Sequence, residues 1–237
     1  MIVLSKSSSV SFFILPSGLR AKSPNGKICT AHIGTGGKGR IDTVYLAKHD
    51  NVEVIGLCDV DYAHGKIDTW SKQFKSATAF QDYREMLSEL GDKIDAVSIS
   101  TPDHTHYPAT MDAMERGKHI YLQKPLTHKL DEARHLAKFA EEKGLTTQMG
   151  IQNQSREAYR LARHYVQEGI IGKISKVYVW SFKTWGYDGE PFKEQSVIPD
   201  TLDWNLWLGT APEHDYVSKV YHPGQWRKLL DFGCGTL

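Results

Sequence analysis

The sequence has few cysteines, no excess of charge of either sign and no long apolar run. Its three cysteines, Cys29, Cys58 and Cys234, are widely spaced and form no CxxC pair, which argues against a disulfide scaffold or a zinc ribbon. Lys and Arg number 29 and Asp and Glu number 28, so the net charge of +1 gives no electrostatic reason to bind nucleic acid. No apolar stretch approaches the roughly 20 residues that a membrane-spanning helix needs.

The composition is that of a globular protein, because 40% of the 237 residues are hydrophobic and 24% are charged. At roughly 150 residues per domain, this length corresponds to one or two domains. Residues 1–24 contain a short apolar piece that is interrupted by Ser11 and Pro16. They match either an unstructured tail or a degraded export signal, so the location is left open between the cytoplasm and export. We exclude them from the fold.

From Lys27 to Gly150, apolar runs alternate with helical patterns. This alternation predicts a parallel sheet with helices on both faces, in which ligands bind at the carboxyl ends of the strands. In the first helix the pattern places Ile41, Val44 and Tyr45 on one apolar face. The predicted strands are 27–33, 52–58, 94–100, 119–122 and 146–150, and the predicted helices are 40–48, 62–74, 82–90, 105–117 and 131–143.

A glycine-rich loop follows the first predicted strand. Its sequence, GTGGKG at residues 34–39, has the pattern G-x-G-x-x-G and leads into a helix. Gly34 permits the tight turn, Gly36 lets the backbone approach a pyrophosphate, and Gly39 lets the helix pack close to the sheet. A strand precedes the loop, a helix follows it, and an acid ends the next strand. This context favours a dinucleotide site over an ordinary loop.

Asp59 ends the second predicted strand, 20 residues after Gly39. A carboxylate at this spacing accepts hydrogen bonds from ribose hydroxyls and repels the 2′-phosphate of NADP. The nearest cation that follows it is Lys66. The sequence therefore predicts NAD as the cofactor, with NADP less favoured. The alternative for Asp59 is a solvent-facing acid at a strand end.

Polar segments after two further strands face the same cleft in a sheet of this kind. They are residues 100–106 (STPDHTH) and 123–125 (QKP). A lysine at this edge can bind a substrate hydroxyl and polarise the carbon that gives up hydride, although an isolated lysine is usually a solvated surface residue. His104 and His106 lie on one side only if the segment is extended, and no third ligand is near. No metal site is therefore predicted.

Together these residues resemble the Gfo/Idh/MocA oxidoreductases, of the glucose–fructose oxidoreductase and inositol dehydrogenase type. The resemblance runs from about Lys27 to Leu237. It implies an α/β fold, with an N-terminal Rossmann domain and its doubly wound parallel sheet at residues 25–150. An incomplete α+β domain for substrate binding and oligomerisation follows at residues 151–237. The motifs that carry the resemblance are AHIGTGGKG, LCDVD, STPDHTH, GKHIYLQKPLTH, TQMGIQNQ, LDWNLWLG and YHPGQWRKLLDFGCGTL.

The resemblance also implies roles for individual residues. Lys124 matches the lysine of the family's Glu-Lys-Pro motif, which touches substrate and nicotinamide, and it is the predicted catalytic residue. Gln123 stands in place of the motif's glutamate, so the lysine has one fewer neighbour that favours its charged form. The predicted cofactor contacts are Gly34, Thr35, Gly36, Gly37, Lys38, Gly39, Asp59, Thr101, Pro102, His106 and Gln123.

The C-terminal part has a helical pattern over residues 155–169. Residues 174–185 alternate and are rich in β-branched and aromatic side chains, which predicts a strand. The tryptophans of this part fit either core packing or a platform for a sugar ring. The candidate substrate contacts are Gln152, Tyr221, His222, Trp226 and Arg227, with an ion pair at a sheet edge as the alternative for Arg227.

Three functions remain open at this point. The chain stops before the segment that carries an acid/base histidine in the family, so the resemblance implies a fragment or a truncated product. The favoured function is an NAD-dependent oxidoreductase, or a fragment of one, for a sugar, sugar alcohol or related polyol. The alternatives are an NAD-retaining lyase or glycoside-cleaving enzyme that uses transient oxidation, and a non-catalytic dinucleotide-binding fragment. The expected partners are a small carbohydrate-like substrate and, for the full-length form, further copies of the chain.

Overall fold

A computed structural model describes residues 26–190, 192 and 194–235. Within them, six strands form one parallel sheet. These strands are β1 (Ile28–Ile33), β2 (Val52–Cys58), β3 (Thr78–Phe80), β4 (Ala96–Ile99), β5 (His119–Gln123) and β6 (Thr147–Gly150). Their order across the sheet is β3-β2-β1-β4-β5-β6, which is the order of a doubly wound Rossmann fold.

Helices connect the strands and continue beyond the sheet. Those in the described residues are α1 (Gly37–Leu46), α2 (Tyr62–Gly65), α3 (Ile67–Gln73), α4 (Tyr83–Leu90), α5 (Asp103–Glu115), α6 (Leu130–Lys143), α7 (Glu157–Gln167) and α8 (Trp204–Leu208).

The helices cover both faces of the sheet. Along β2, Val54 and Leu57 pack with Ile67 and Trp70 of α3. Ile55, next to Val54, and Cys58, next to Leu57, belong instead to the larger cluster that includes residues of α4, α5 and α6. Neighbouring strand residues point to opposite faces, so this strand contributes to two separate cores. The predicted α/β fold with a doubly wound parallel sheet is confirmed.

A buried histidine lies beneath α1. His32 of β1 is 1% exposed, and its two ring nitrogens lie 3.1 Å from the Thr30 hydroxyl and 3.2 Å from the Thr43 hydroxyl. Burial lowers the pKa of His32 to about 4. The imidazole is therefore neutral and packed like a core residue at neutral pH.

The predicted apolar face of α1 is wrong for two of its three residues, whereas Val44 does pack against the cluster that contains Ile67 and Trp70. Ile41 and Tyr45 are 48% and 63% exposed, whereas Asp42 and Thr43 are buried. The reason is that the first turns of α1 face the carboxyl ends of the strands, where the neighbouring groups are polar. A pattern of hydrophobic residues cannot identify a buried face that is itself polar.

Two features of the sheet region were missed. β3 is three residues long, too short for an alternating pattern to show. The helix predicted over 62–74 is two helices, because Lys66 has a left-handed backbone with φ of +56° that separates α2 from α3.

The strand predicted at 174–185 does not form. Residues 174–185 have no regular secondary structure, and their apolar side chains are largely exposed, including Val179 at 91% and Phe182 at 88%. A strand needs a partner for its backbone ladder, and no strand of the described residues pairs with this stretch. The helix predicted over 155–169 is present as α7.

Residues 199–235, called here the C-terminal segment, pack on the carboxyl ends of the strands. The backbone of the segment bonds to the turns after β2 and β4: Tyr62 N–H donates to the Thr201 carbonyl at 3.0 Å, and His104 N–H donates to the Phe232 carbonyl at 3.3 Å. A cluster of mostly aromatic side chains forms the core of the segment. Its buried members are Leu202, Trp204, Trp207, Leu208, Tyr216, Val220, Tyr221, Trp226 and Phe232.

The predicted tail or export signal at residues 1–24 lies outside the described residues. Within the part of the chain that the structure describes, no helix combines the length and the apolar character needed to cross a membrane.

Candidate functional site

The glycine loop lies between β1 and α1 and is shaped by close backbone contacts. Gly34 has φ of +78°, and a Cβ atom there would lie 2.7 Å from the Ser100 carbonyl oxygen. A Cβ atom on Gly39 would overlap the Gly34 carbonyl oxygen and come within 2.8 Å of its carbon. Both positions therefore require glycine, and the loop adopts the turn that its sequence predicts.

Asp59 lies under this loop at the carboxyl end of β2. Its Oδ2 accepts the N–H of Thr35 at 2.9 Å and that of Gly36 at 3.0 Å, and its Oδ1 accepts the N–H of Asp61 at 3.1 Å. Burial raises the pKa of Asp59, and these three hydrogen bonds oppose that shift. One acceptor position on Oδ1 is left for a further donor such as a hydroxyl. Asp59 is thus a buried part of the loop rather than a solvent-facing acid.

Contacts with α2 hold two further residues of the glycine loop, Thr35 and Gly36, in place. The Thr35 hydroxyl points inward and donates to the Gly65 carbonyl at 2.8 Å. The His64 ring packs against Gly36, where a Cβ atom would lie 2.8 Å from His64 Nε2. A larger residue at position 36 would therefore disturb this packing as well as the approach of a phosphate.

Asp42 of α1 is the buried centre of a hydrogen-bond network that the sequence analysis did not identify. Its Oδ1 lies 2.6 Å from Lys38 Nζ and 3.3 Å from Gln152 Nε2. Its Oδ2 accepts from the Ser100 hydroxyl at 3.0 Å and from Gln123 Nε2 at 2.8 Å. The i,i+4 spacing of Lys38 and Asp42 was the one signal of this network in the sequence.

The network reaches the predicted catalytic lysine. Gln123, the last residue of β5, accepts the backbone N–H of Lys124 on its Oε1 at 3.3 Å. The Lys124 side chain is exposed, and its peptide bond to Pro125 is cis. Gln152, a predicted substrate contact, also donates to the Tyr121 hydroxyl at 2.8 Å. Three predicted site residues, Lys38, Gln123 and Gln152, are therefore brought together. The residue that joins them, Asp42, was not among those predicted.

His106 joins the two loops after β4 and β5. Its Nδ1 lies 2.8 Å from the Pro125 carbonyl oxygen, and its Nε2 lies 3.0 Å from the Thr101 carbonyl oxygen. Burial lowers its pKa, and Asp103 and the two carbonyl groups oppose the shift. Both ring nitrogens already face protein atoms, so the ring positions the Thr101–Pro102 turn. A direct contact of His106 with a cofactor stays a prediction.

His104 packs against the C-terminal segment. Its Nε2 lies 3.1 Å from the Trp207 carbonyl oxygen, and its ring meets Phe232 edge to face at 5.1 Å. Burial lowers the pKa of His104 to about 4. No group of three His, Cys, Asp or Glu side chains able to hold a metal ion occurs among the described residues.

The C-terminal segment places His222 against Asp61, in the turn after β2. His222 Nε2 lies 2.9 Å from Asp61 Oδ2, and His222 Nδ1 accepts the Trp207 indole N–H at 3.2 Å. The proton of the neutral ring is therefore on Nε2. Burial would raise the pKa of Asp61, but hydrogen bonds from His222, the His64 backbone and Thr201 hold it well below its usual range.

The other candidate substrate contacts lie in the core of the segment. Tyr221 is 2% exposed and packs against Trp204 and Phe232. Trp226 is buried, and the Arg227 guanidinium lies 4.6 Å from the centre of its ring. Arg227 also donates to the Gly224 carbonyl at 2.7 Å. These contacts give the three residues packing roles, and their contact with substrate stays a prediction.

We expect His222→Ala to loosen the C-terminal segment. The change removes two hydrogen bonds and leaves Asp61 and the Trp207 indole N–H without this partner, which should cost about 1–3 kcal/mol in free energy of unfolding. Urea unfolding at neutral pH, followed by tryptophan fluorescence, measures the loss. The matched control is His214→Ala, because His214 makes a similar 2.8 Å contact with Asp231 on the surface. That pair should contribute less than about 1 kcal/mol. Equal losses in the two variants would contradict the expectation.

Comparisons with known proteins agree with this geometry. The model of Gfo/Idh/MocA, described as an oxidoreductase family with an NAD-binding Rossmann fold, matches residues 28–151. The chain is 33% identical over 140 residues to scyllo-inositol 2-dehydrogenase (NAD(+)) of Bacillus subtilis. The matched region covers 58% of this chain and 40% of that protein. It is 34% identical over 119 residues to Glycosyl hydrolase family 109 protein 2 of Akkermansia muciniphila. That match covers 47% of this chain and 25% of the relative.

A solved structure gives the same result for the fold. The scyllo-inositol dehydrogenase from Lactobacillus casei with bound NAD(H) and scyllo-inositol matches with a TM-score of 0.57 and 26% identity. The match covers 63% of this chain and 43% of that chain. The chain thus spans less than half the length of each of these relatives.

Proposed function

Because this chain belongs to the Gfo/Idh/MocA oxidoreductase family, we propose that it binds NAD at the glycine loop and takes part in hydride transfer. The substrate class is a sugar, sugar alcohol or related polyol. The observation that carries the proposal is the Asp59 carboxylate, held under the glycine loop with an acceptor position left for a ribose hydroxyl. Residues 26–150 act as the cofactor-binding part, and the remainder takes part in substrate binding.

The residues of the loop fit a dinucleotide. The first hydrogen bond within α1 runs from Arg40 N–H to the Gly36 carbonyl at 3.2 Å. The N–H groups of Gly37, Lys38 and Gly39 precede it and have no partner inside the helix. Gly36 brings no side chain to cap them. The amide groups and the positive end of the helix suit a pyrophosphate.

Lys124 is proposed to act on the substrate. It follows β5 and is exposed at the same edge of the sheet as the glycine loop. Its ammonium group can hold a substrate hydroxyl and stabilise the negative charge that develops as the hydroxyl loses its proton. NAD, when bound, supplies the hydride acceptor. Thr101 and Pro102, held by His106, complete the proposed wall beside the dinucleotide.

We expect NAD to bind more tightly than NADP. The 2′-phosphate of NADP would meet the carboxylates of Asp59 and Asp61, which should weaken binding by about tenfold or more. Calorimetry with both dinucleotides measures the dissociation constant of NADP divided by that of NAD. Asp59→Asn should reduce this ratio, whereas Asp50→Asn, which changes an exposed carboxylate in a surface turn, should leave it unchanged. Equal affinity of the wild-type chain for NAD and NADP would contradict the choice of cofactor. Absence of binding to both would contradict the function.

A second function is favoured by one relative. The similarity to a protein named Glycosyl hydrolase family 109 protein 2 supports cleavage of a glycoside. In this second function the chain would use transient oxidation of the glycoside and keep its NAD bound. The two functions differ in the fate of the hydride. Polyol-dependent accumulation of NADH supports the dehydrogenase, and release of the leaving group from a glycoside without accumulation of NADH supports the alternative.

A further inference from the structure

Asp42 is a buried carboxylate at the centre of the site, with no role in the proposed chemistry so far. We propose that Asp42 is the positioning residue of Lys124, acting through Gln123. In this chain the Asp42–Gln123 pair takes the place of the glutamate that precedes the lysine in the family's motif. The inference rests on the proposed function, in which Lys124 lies beside the nicotinamide and the substrate.

The surroundings of Asp42 are those of a carboxylate built into the site. Asp42 is 4% exposed, and a buried carboxylate is stable only when hydrogen-bond donors satisfy its oxygens. Four side chains do so at distances between 2.6 and 3.3 Å. They come from the glycine loop side of α1, from the residue after β4, from the end of β5 and from the turn after β6: Lys38, Ser100, Gln123 and Gln152.

The Gln123 amide can have only one orientation here. Its Nε2 must face Asp42, because a carboxylate accepts hydrogen bonds and donates none. Its Oε1 then faces the Lys124 backbone N–H at 3.3 Å, which needs an acceptor. Gly150 leaves the space for this amide, since a Cβ atom there would lie 2.8 Å from Gln123 Cδ. A line of hydrogen bonds therefore runs from the Asp42 carboxylate through the amide to the backbone of Lys124.

The identities of residues 42 and 123 depend on each other. A glutamate at position 123 would place a second carboxylate about 2.8 Å from Asp42 Oδ2, in a buried position where two negative charges repel. With an asparagine at position 42, the same glutamate would regain a donor. Each arrangement has one carboxylate and one amide, and either can hold Lys124. In this chain the carboxylate that is connected to the Lys124 backbone by hydrogen bonds therefore belongs to α1.

The test is an exchange of the two side chains. Four proteins are compared as the full chain: wild type, Asp42→Asn, Gln123→Glu and the double variant. Calorimetry gives the dissociation constants of NAD and of AMP, because AMP probes only the adenosine half of the site. We expect each single variant to bind NAD about tenfold more weakly, with the AMP constant within about twofold of wild type. The double variant should recover NAD binding to within about threefold.

Several results would overturn the inference. A double variant no better than Asp42→Asn would mean that the two residues are not coupled. A parallel loss of AMP and NAD affinity would mean that Asp42 only stabilises the fold. If Gln123→Glu does not fold, the comparison of Asp42→Asn with the double variant still decides. NAD binding by wild type without this coupling refutes the positioning role alone, whereas no NAD binding by wild type refutes the proposed function and the positioning role together.

Discussion

Gly39→Ala is expected to prevent stable folding. The new Cβ atom would overlap the backbone carbonyl of Gly34, and no change of rotamer can relieve a clash between Cβ and backbone. Either the glycine loop or the start of α1 would have to move, at a cost of about 4 kcal/mol or more in free energy of unfolding. Thermal unfolding followed by circular dichroism, with the soluble fraction after expression, measures the effect.

The matched control is Gly117→Ala. Gly117 has φ of +72° but no atom within 4 Å of its added Cβ position. Its substitution therefore carries only the backbone cost, about 1–2 kcal/mol. If Gly39→Ala cost no more than Gly117→Ala, the close approach of α1 to the loop would be wrong.

The second large effect is a loss of stability in weak acid. His32 and His104 have a pKa of about 4 in the folded protein because both are buried, against an ordinary value of 6.5. Between these values the unfolded chain binds more protons, so the free energy of unfolding rises with pH. The stability is fully present above pH 6.5 and is lost as the pH falls toward 4. At about pH 5 each histidine should lower the free energy of unfolding by about 2 kcal/mol relative to pH 8.

Urea unfolding at the two pH values tests this. His32→Gln keeps a neutral polar group between Thr30 and Thr43 and should lower the loss on acidification by about 2 kcal/mol. His49→Gln, which changes an exposed histidine, is the matched control. The same pH dependence in wild type and His32→Gln would show that His32 titrates in the folded protein as it does in the unfolded chain.

The sheet could be predicted well because its strands are buried on both faces. β2 was predicted with its observed bounds, and β1 within one residue, because both are continuous apolar runs that end at Gly34 or Asp59. The stretch 174–185 had an equally clear pattern and failed. Its pattern is typical of side chains that pack on a half-buried sheet, and no neighbouring strand forms such a sheet with it within the described residues.

The candidate site divides in the same way. The turn at Gly34 and Gly39 and the position of Asp59 at the end of β2 could be predicted because they depend on backbone geometry and on short spacings along the chain. Asp42 was missed because its partner Gln123 is 81 positions away, and only the fold brings the two together. Hydrophobic periodicity placed Ile41 and Tyr45 on the inner face of α1, where the structure has Asp42, since it cannot recognise a buried surface made of polar groups.

The C-terminal segment docks on residues that the ribosome has synthesised much earlier. Asp61 lies 161 positions before His222, and Asp103 lies 131 positions before Cys234, whose N–H it accepts at 3.0 Å. At roughly 5–20 residues per second, about 8–30 s separate the emergence of Asp61 from that of His222. During this interval the nascent sheet has uncovered strand ends, and a ribosome that pauses over residues 151–198 prolongs it. The time for which these strand ends lack the C-terminal segment thus depends on the rate of translation through this stretch.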